Sequence, residues 1–334
     1  MLALRAGVLL FCWLANAAIT SAAAPPHIED KGIRIGLRDG PNVARSRNGV
    51  WAPVMIPVQA SSDDVPRGSF RLVVETTDGE GVPYRYTASL PAIPANSTQV
   101  VFAYVRPGSS GASLSVALQN MDGSPVQTVE QLSRDPSKKE ILEPRELLYL
   151  TIGSPLHGLK AASKPEAAAA APQADEPGEA IAVPGFASIE NVADMPDRWF
   201  GYDAVDAIVL TTSRDKFVEQ LLDMNKARRD ALLDWVRRGG RLVLSVGRNQ
   251  QSVARWLEKV PLLDGTLQSK ITRPSLPSLQ MWCGADPRQK QPLRNVEIVR
   301  VRAGPNMHGL VYEDQTADDL ETRPVLWQSS CGLG

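Results

Sequence analysis

Three kinds of side chain in this 334-residue chain could supply reaction chemistry: thiols, imidazoles and clustered carboxylates. A cysteine thiolate serves as nucleophile or metal ligand. Of the three cysteines, Cys12 lies in an N-terminal apolar run, leaving Cys283 and Cys331. These two could pair in an oxidising compartment, but their separation along the chain says nothing about distance in space. The histidines His27, His157 and His308 have no partner at i+3 or i+4, so no metal-ligand spacing is present and each reads as solvated. No metal or cofactor is expected. Carboxylates gather in "EDQTADDLE", 313–321, without the Gly-centred spacing of a calcium loop, which points to a solvated segment. In "RRGGR", 237–241, the glycines follow a predicted helix, where the dipole repels anions; they read as a helix stop. Asp203 and Asp206 precede a predicted strand, away from the carboxyl end where open α/β sheets bind ligands, and read as turn formers.

The elements that would position these groups fall into two halves. Between Ile33 and about Leu132, short runs alternate with period two and are separated by Gly, Pro, Asp and Ser clusters, the signature of strands. Phe70, Leu72 and Val74 share one face, as do Tyr84, Tyr86, Ala88 and Leu90; so do Val100, Phe102 and Tyr104, and Leu114, Val116 and Leu118. One-face burial implies antiparallel sheets closing on each other. "TDGEG", 77–81, and "MDGSP", 121–125, supply hairpin turns. About seven strands over 33–135 suit an immunoglobulin-like β-sandwich without the Cys, Trp, Cys hallmark. Trp51 is a candidate for its core.

The second half, 146–334, reads as α/β with a mostly parallel sheet. Leu147–Ile152 and Ala207–Leu210 are continuous apolar runs, as strands buried on both faces require. "RRDALLDWVRRGGRLVLSVG", 228–247, is a helix, a glycine stop and a strand. Asn225 is its expected N-cap, Arg237 and Arg238 favour the helix carboxyl end, and Gly239 or Gly240 ends the helix. "LKAASKPEAAAAAPQADEPGEA", 159–180, cannot bury enough apolar surface to offset its ordering entropy and reads as a disordered insertion.

At the N-terminus, Arg5, an apolar run from Ala6 to about Ile19 and the small residues Thr20–Ala24 match a secretory signal over 1–24, with cleavage between Ala18 and Ala24. The chain is therefore expected to be exported, to a periplasm or cell envelope. Lys plus Arg total 36 against 37 Asp plus Glu, a formal charge of −1. No global field draws nucleic acid, which is excluded as a partner class.

"GYDAVDAIVL" followed by "RRDALLDWVRRGGRLVLSVG" resembles the class I glutamine amidotransferase-like fold, a flavodoxin-like arrangement, in the version that bacterial envelope proteins carry behind an immunoglobulin-like domain. The resemblance implies a membrane-associated protein and, in catalytic members, a cysteine on a tight strand-to-helix elbow activated by a His-x-Glu pair. In "LQMWCGADP" the bulky Met281 stands two positions before Cys283, while Ala285 would fit the elbow. After His308 the glutamate position holds Leu310, and Glu313 lies five residues on. A Cys283, His308, Glu313 triad is the one catalytic set these residues could still assemble, since triads are set by geometry.

In "RPVLWQSSCGLG" a predicted strand, Val325–Ser329, leads into a glycine turn with no return strand, leaving an expected open edge. In the resembled proteins such a turn leads to a further strand and a membrane helix, so the chain reads as a fragment of a longer one. Any membrane association would run through the N-terminus or through a C-terminal helix beyond Gly334. The expected function is a non-catalytic envelope protein with a structural or binding role, its partner an envelope protein or a small ligand. Two alternatives stand beside it: a cysteine-dependent amide hydrolase, and a small-ligand module using the crevice after Leu210 and Val246.

Overall fold

In a computed structural model the described residues are 24–40, 43–108, 114–130, 140–155, 184–223, 226–247, 249–260, 262–283, 295–314 and 323–333. The expected signal over 1–24, Asn225 and the segment 159–180 lie essentially outside them, and so does His157. Strands dominate, arranged in several sheets, one of them parallel.

The first half holds β1 (His27–Ile28), β2 (Arg34–Ile35), β3 (Leu37–Arg38), β4 (Ala44–Arg47), β5 (Ala52–Gln59), β6 (Phe70–Thr77), β7 (Pro83–Ser89), β8 (Thr98–Val105), β9 (Leu114–Asn120) and β10 (Pro125–Val129). One antiparallel sheet centres on β5, with β1 and β2 pairing with it beside β8; a second runs β10-β9-β6-β7. Their inner faces share a core of Val54, Ile56, Leu72, Val74, Val116 and Leu118. The turns form as their chemistry dictates. Asp78 Oδ1 accepts from the Glu80 and Val82 amides, and Asp122 Oδ1 from the Ser124 amide, closing the two expected hairpins.

Strand β8 departs from the expected facing. Val101, Ala103 and Val105 enter the sandwich core, whereas Phe102 and Tyr104 point outward to the second half. The strand is apolar on both faces because both are covered, and alternation alone does not say which face meets which neighbour. Trp51 sits at the same junction, 5.1 Å from both the Tyr86 and Phe200 rings, instead of in the sandwich core.

After β11 (Ile141–Leu142), which extends a small sheet with β4 and β3, the parallel sheet comprises β12 (Leu148–Ile152), β13 (Gly185–Ile189), β14 (Ala207–Thr211) and β15 (Arg241–Ser245) in the order β13-β12-β14-β15. Helices α1 (Asp215–Asp223), α2 (Lys226–Arg237) and α3 (Gln250–Lys259) pack on one face, burying Leu150, Ile208 and Leu210 against Phe217, Leu232 and Trp256. The other face is less covered than the continuous apolar runs suggest. Val209 is half-buried and Val243 is 49% exposed, because α1–α3 all lie on the opposite side. Where α2 ends, the Gly239 amide donates to Val236 O at 3.0 Å and the Gly240 amide to Trp235 O at 3.1 Å. That pair of bonds is a Schellman stop, with Gly239 at φ +110°.

From residue 265 on, the chain leaves the parallel sheet. β16 (Gly265–Arg273), α4 (Pro277–Trp282) and β17 (Val296–Ala303) precede β18 (Met307–Glu313) and β19 (Arg323–Ser329). β16 pairs antiparallel with β17, and β18 with β19.

Candidate functional site

Cys283 does not stand on a strand-to-helix elbow: it follows the carboxyl end of α4, its amide bonded to Leu279 O at 3.0 Å, and its side chain is exposed. His308 is exposed near the start of β18, opposite Gln328. Glu313, at the other end of β18, is 1% exposed, and its carboxylate accepts from the Leu279 amide at 2.9 Å and the Ser278 amide at 3.2 Å. It caps the first turn of α4, whose amides lack intrahelical partners. No hydrogen bond joins Cys283, His308 and Glu313 among the described residues, and no disulfide joins Cys283 to Cys331. His27 is exposed on β1. Of the acidic run, only Glu313 and Asp314 are described, and among the described residues no group of three or more His, Cys, Asp or Glu could hold a metal.

At the carboxyl ends of the parallel strands, the crevice expected after Leu210 and Val246 carries several hydroxyl and amide groups that bind one another. Thr211 Oγ1 accepts from the Ser154 amide at 2.7 Å and donates to Ile152 O at 3.1 Å. Thr212 Oγ1 donates to Ser245 O at 2.7 Å, and Asn249 Nδ2 to Thr212 O at 2.6 Å. Arg214 pairs with Glu190 at 2.9 Å. Gly153, at φ +99°, brings β12's exit so close to Thr211 O that a Cβ would collide with it. These polar groups hold the strand ends together, so few of their donors remain for a ligand.

A different concavity is better formed. Between β15 and the two antiparallel ladders lies an apolar slot of about 530 Å³, within the size range of small-molecule pockets. Leu242 and Val243 of β15, Val299 of β17, Leu310 of β18 and Trp327 of β19 line it, and Trp282, 62% exposed, stands at its border. Among the described residues, Arg241 is its one charged lining residue. Trp327 Nε1 and Ser329 Oγ are buried and have no hydrogen-bond partner among the described residues.

No protein-family model matches the chain, and a search of curated proteins found no match. Among solved structures, the chain is similar at TM-score 0.19 and 16% identity to an endonuclease/exonuclease/phosphatase from Beutenbergia cavernae DSM 12333. The match covers 30% of this chain and 26% of that one. At that score it bears on neither fold nor function.

The two halves meet through groups the sequence presented as ordinary strand and turn residues. Arg47 of β4 pairs with Asp206 at 2.5 Å, and the same carboxylate oxygen accepts from the Leu148 amide at 2.7 Å, so Asp206 ties the first half to the start of β12. Tyr104 Oη donates to Asp197 Oδ1 at 2.5 Å and accepts from the Asp197 amide at 2.9 Å. Burial, reinforced by the Asp197 charge, pushes the Tyr104 hydroxyl well above the usual phenol range. Burial does the same to Tyr202, which has no exposed surface; the Arg228 charge opposes the shift and the Asp197 charge adds to it. Arg228 lies over the Phe102 ring, 5.6 Å from its centroid. The slot went unread at the level of sequence. Its one signal was the alternation in "RLVLS", where Arg241, Val243 and Ser245 lie on a face different from Leu242 and Leu244.

Proposed function

We propose that this chain is an exported, non-catalytic envelope protein with a binding role, exercised through the apolar slot beside β15. The observation that carries this reading is the slot: about 530 Å³ of apolar space, open to Val243 and Trp282, in a molecule whose large apolar side chains are otherwise mostly buried. The polar crevice at the strand ends is occupied by its own hydrogen bonds, and Glu313 is committed to capping α4. The finer fold reading is an immunoglobulin-like sandwich followed by a flavodoxin-like, amidotransferase-like α/β domain. The strand order β13-β12-β14-β15, which is 2-1-3-4 in chain order, supports it, as do the two antiparallel sheets around one core. Export rests on the residues of the 1–24 segment, and N-terminal sequencing of the protein from its host should find a mature start between Ala18 and Ala24.

Titration with an environment-sensitive apolar dye tests the binding role. Saturable enhancement at one site is expected, with affinity lowered about tenfold or more by Val243→Glu, which sets a charge at the slot's border. Absence of dye binding, or binding indifferent to Val243→Glu, refutes the reading. The hydrolase alternative makes a separate demand, that Cys283 react with iodoacetamide at neutral pH much faster than in the denatured chain. The binding role predicts equal rates.

A further inference from the structure

Two strands border the slot with consecutive residues. Gly240–Leu244 border it in unbroken succession, and so do Val325–Ser329. Side chains of a strand alternate between faces, so a run of successive residues lines one cavity only where the strand's edge, with its amides and carbonyls, turns towards it. β15 is hydrogen-bonded to β14 and β19 to β18; among the described residues neither has a strand on its other side. Two open edges therefore border one concavity. After β19 the chain returns to α2, where the Leu333 amide donates to Arg237 O at 2.8 Å.

The chemistry of the lining narrows the occupant. An alkyl chain or apolar small molecule would fill the volume but would leave both strand edges, Trp327 Nε1 and Ser329 Oγ without partners. A buried polar group left in that state bears its desolvation cost with nothing to offset it. An extended main chain supplies donors and acceptors along both of its edges while its alternate side chains meet Leu242, Val299 and Leu310. Arg241, the one charge in the lining among the described residues, favours an acidic side chain at that end of the strand. A folded second copy of this chain would present a sheet, which is wider than a slot bounded by strands on both sides.

Resting on the binding role above, we propose that the slot accepts one extended strand of a partner polypeptide, apolar at alternate positions and acidic near one end, which continues the parallel sheet from the edge of β15. The probe is a fluorescein-labelled nine-residue peptide with valine at alternate positions, threonine between them and glutamate near one terminus, titrated into the full chain by anisotropy. Saturable binding is expected, together with slowed hydrogen exchange of the amides in 240–244 and 325–329. N-methylation of alternate peptide amides should weaken binding about tenfold or more, and Trp327→Phe, which keeps the ring and removes its N–H, roughly two- to tenfold. Replacing the glutamate by lysine should weaken it as well.

Equal affinity for the parent and N-methylated peptides overturns the strand while leaving the binding role intact, since apolar filling alone would then explain it. A chain that sediments as a dimer with the 240–244 amides already protected also overturns it, in favour of a second copy. If neither the peptide nor the apolar dye binds, both readings fall. Thermal melting of Trp327→Phe close to that of the parent establishes that any loss of affinity arises at the slot and not from unfolding.

Discussion

Glu313 illustrates how one buried carboxylate can look catalytic in a sequence and be structural in a fold. Its two acceptor bonds to the Ser278 and Leu279 amides take up the groups that a general base would need, and they fix α4 against β18. Hydrogen bonds to a charged group contribute about 1.5–3 kcal/mol, so Glu313→Ala should lower unfolding free energy by about 2–3 kcal/mol in urea denaturation. Cys283→Ser, at an exposed helix end, should change it by no more than about 0.5 kcal/mol. A reversed order of these two effects would count against the capping role.

At the scale of elements, the stop between α2 and β15 sets where the open edge begins. Gly239 holds a positive φ that an L side chain adopts at a cost, and a Cβ on Gly240 would collide with the buried Trp235 ring. Gly239→Ala should destabilise by about 1–2 kcal/mol through backbone strain. Gly240→Ala should cost about 1–3 kcal/mol through overpacking. Both should also weaken peptide binding at the slot, since Leu242 and Val243 follow directly. Chemical denaturation alongside anisotropy separates the two effects. The sheet's asymmetry belongs to this scale too: helices cover one face, so Val243 is left at the surface.

For the whole molecule, the junction between the halves ties stability to alkaline pH. Tyr104 and Tyr202 both have hydroxyl pKa values raised above the ordinary 10.0, so in the native state they keep their protons where the unfolded chain loses them. The unfolded state then binds fewer protons, and stability falls as pH rises above about 10. Below that pH both states are protonated and the contribution is constant. Each tyrosine adds about 1.4 kcal/mol per pH unit to the fall, so Tyr104→Phe and Tyr202→Phe should each flatten the alkaline slope by that amount. At neutral pH Tyr104→Phe should still cost about 1–2 kcal/mol, because the Asp197 carboxylate and amide lose their partner. Denaturant titrations between pH 8 and 11 test both parts, and an unchanged slope in either variant refutes the assignment for that residue.

Local chemistry was readable before any coordinates. Asp78 and Asp122 closed their hairpins as short-range hydrogen bonding requires, and Gly239 ended α2, because each of these outcomes depends on neighbours a few residues away; the apolar runs Leu147–Ile152 and Ala207–Leu210 became strands that pair in parallel across the sheet. What tertiary structure alone decided is who meets whom across long separations. Period-two alternation gave Val100, Phe102 and Tyr104 a common face, but only packing turned that face to Phe200 and Asp197. Asp206 read as a turn former until Arg47, 159 residues earlier, was brought against it. The slot depends most on long-range packing: β15 ends at Ser245 and β19 begins only at Arg323, and no local pattern records that their edges border the same space.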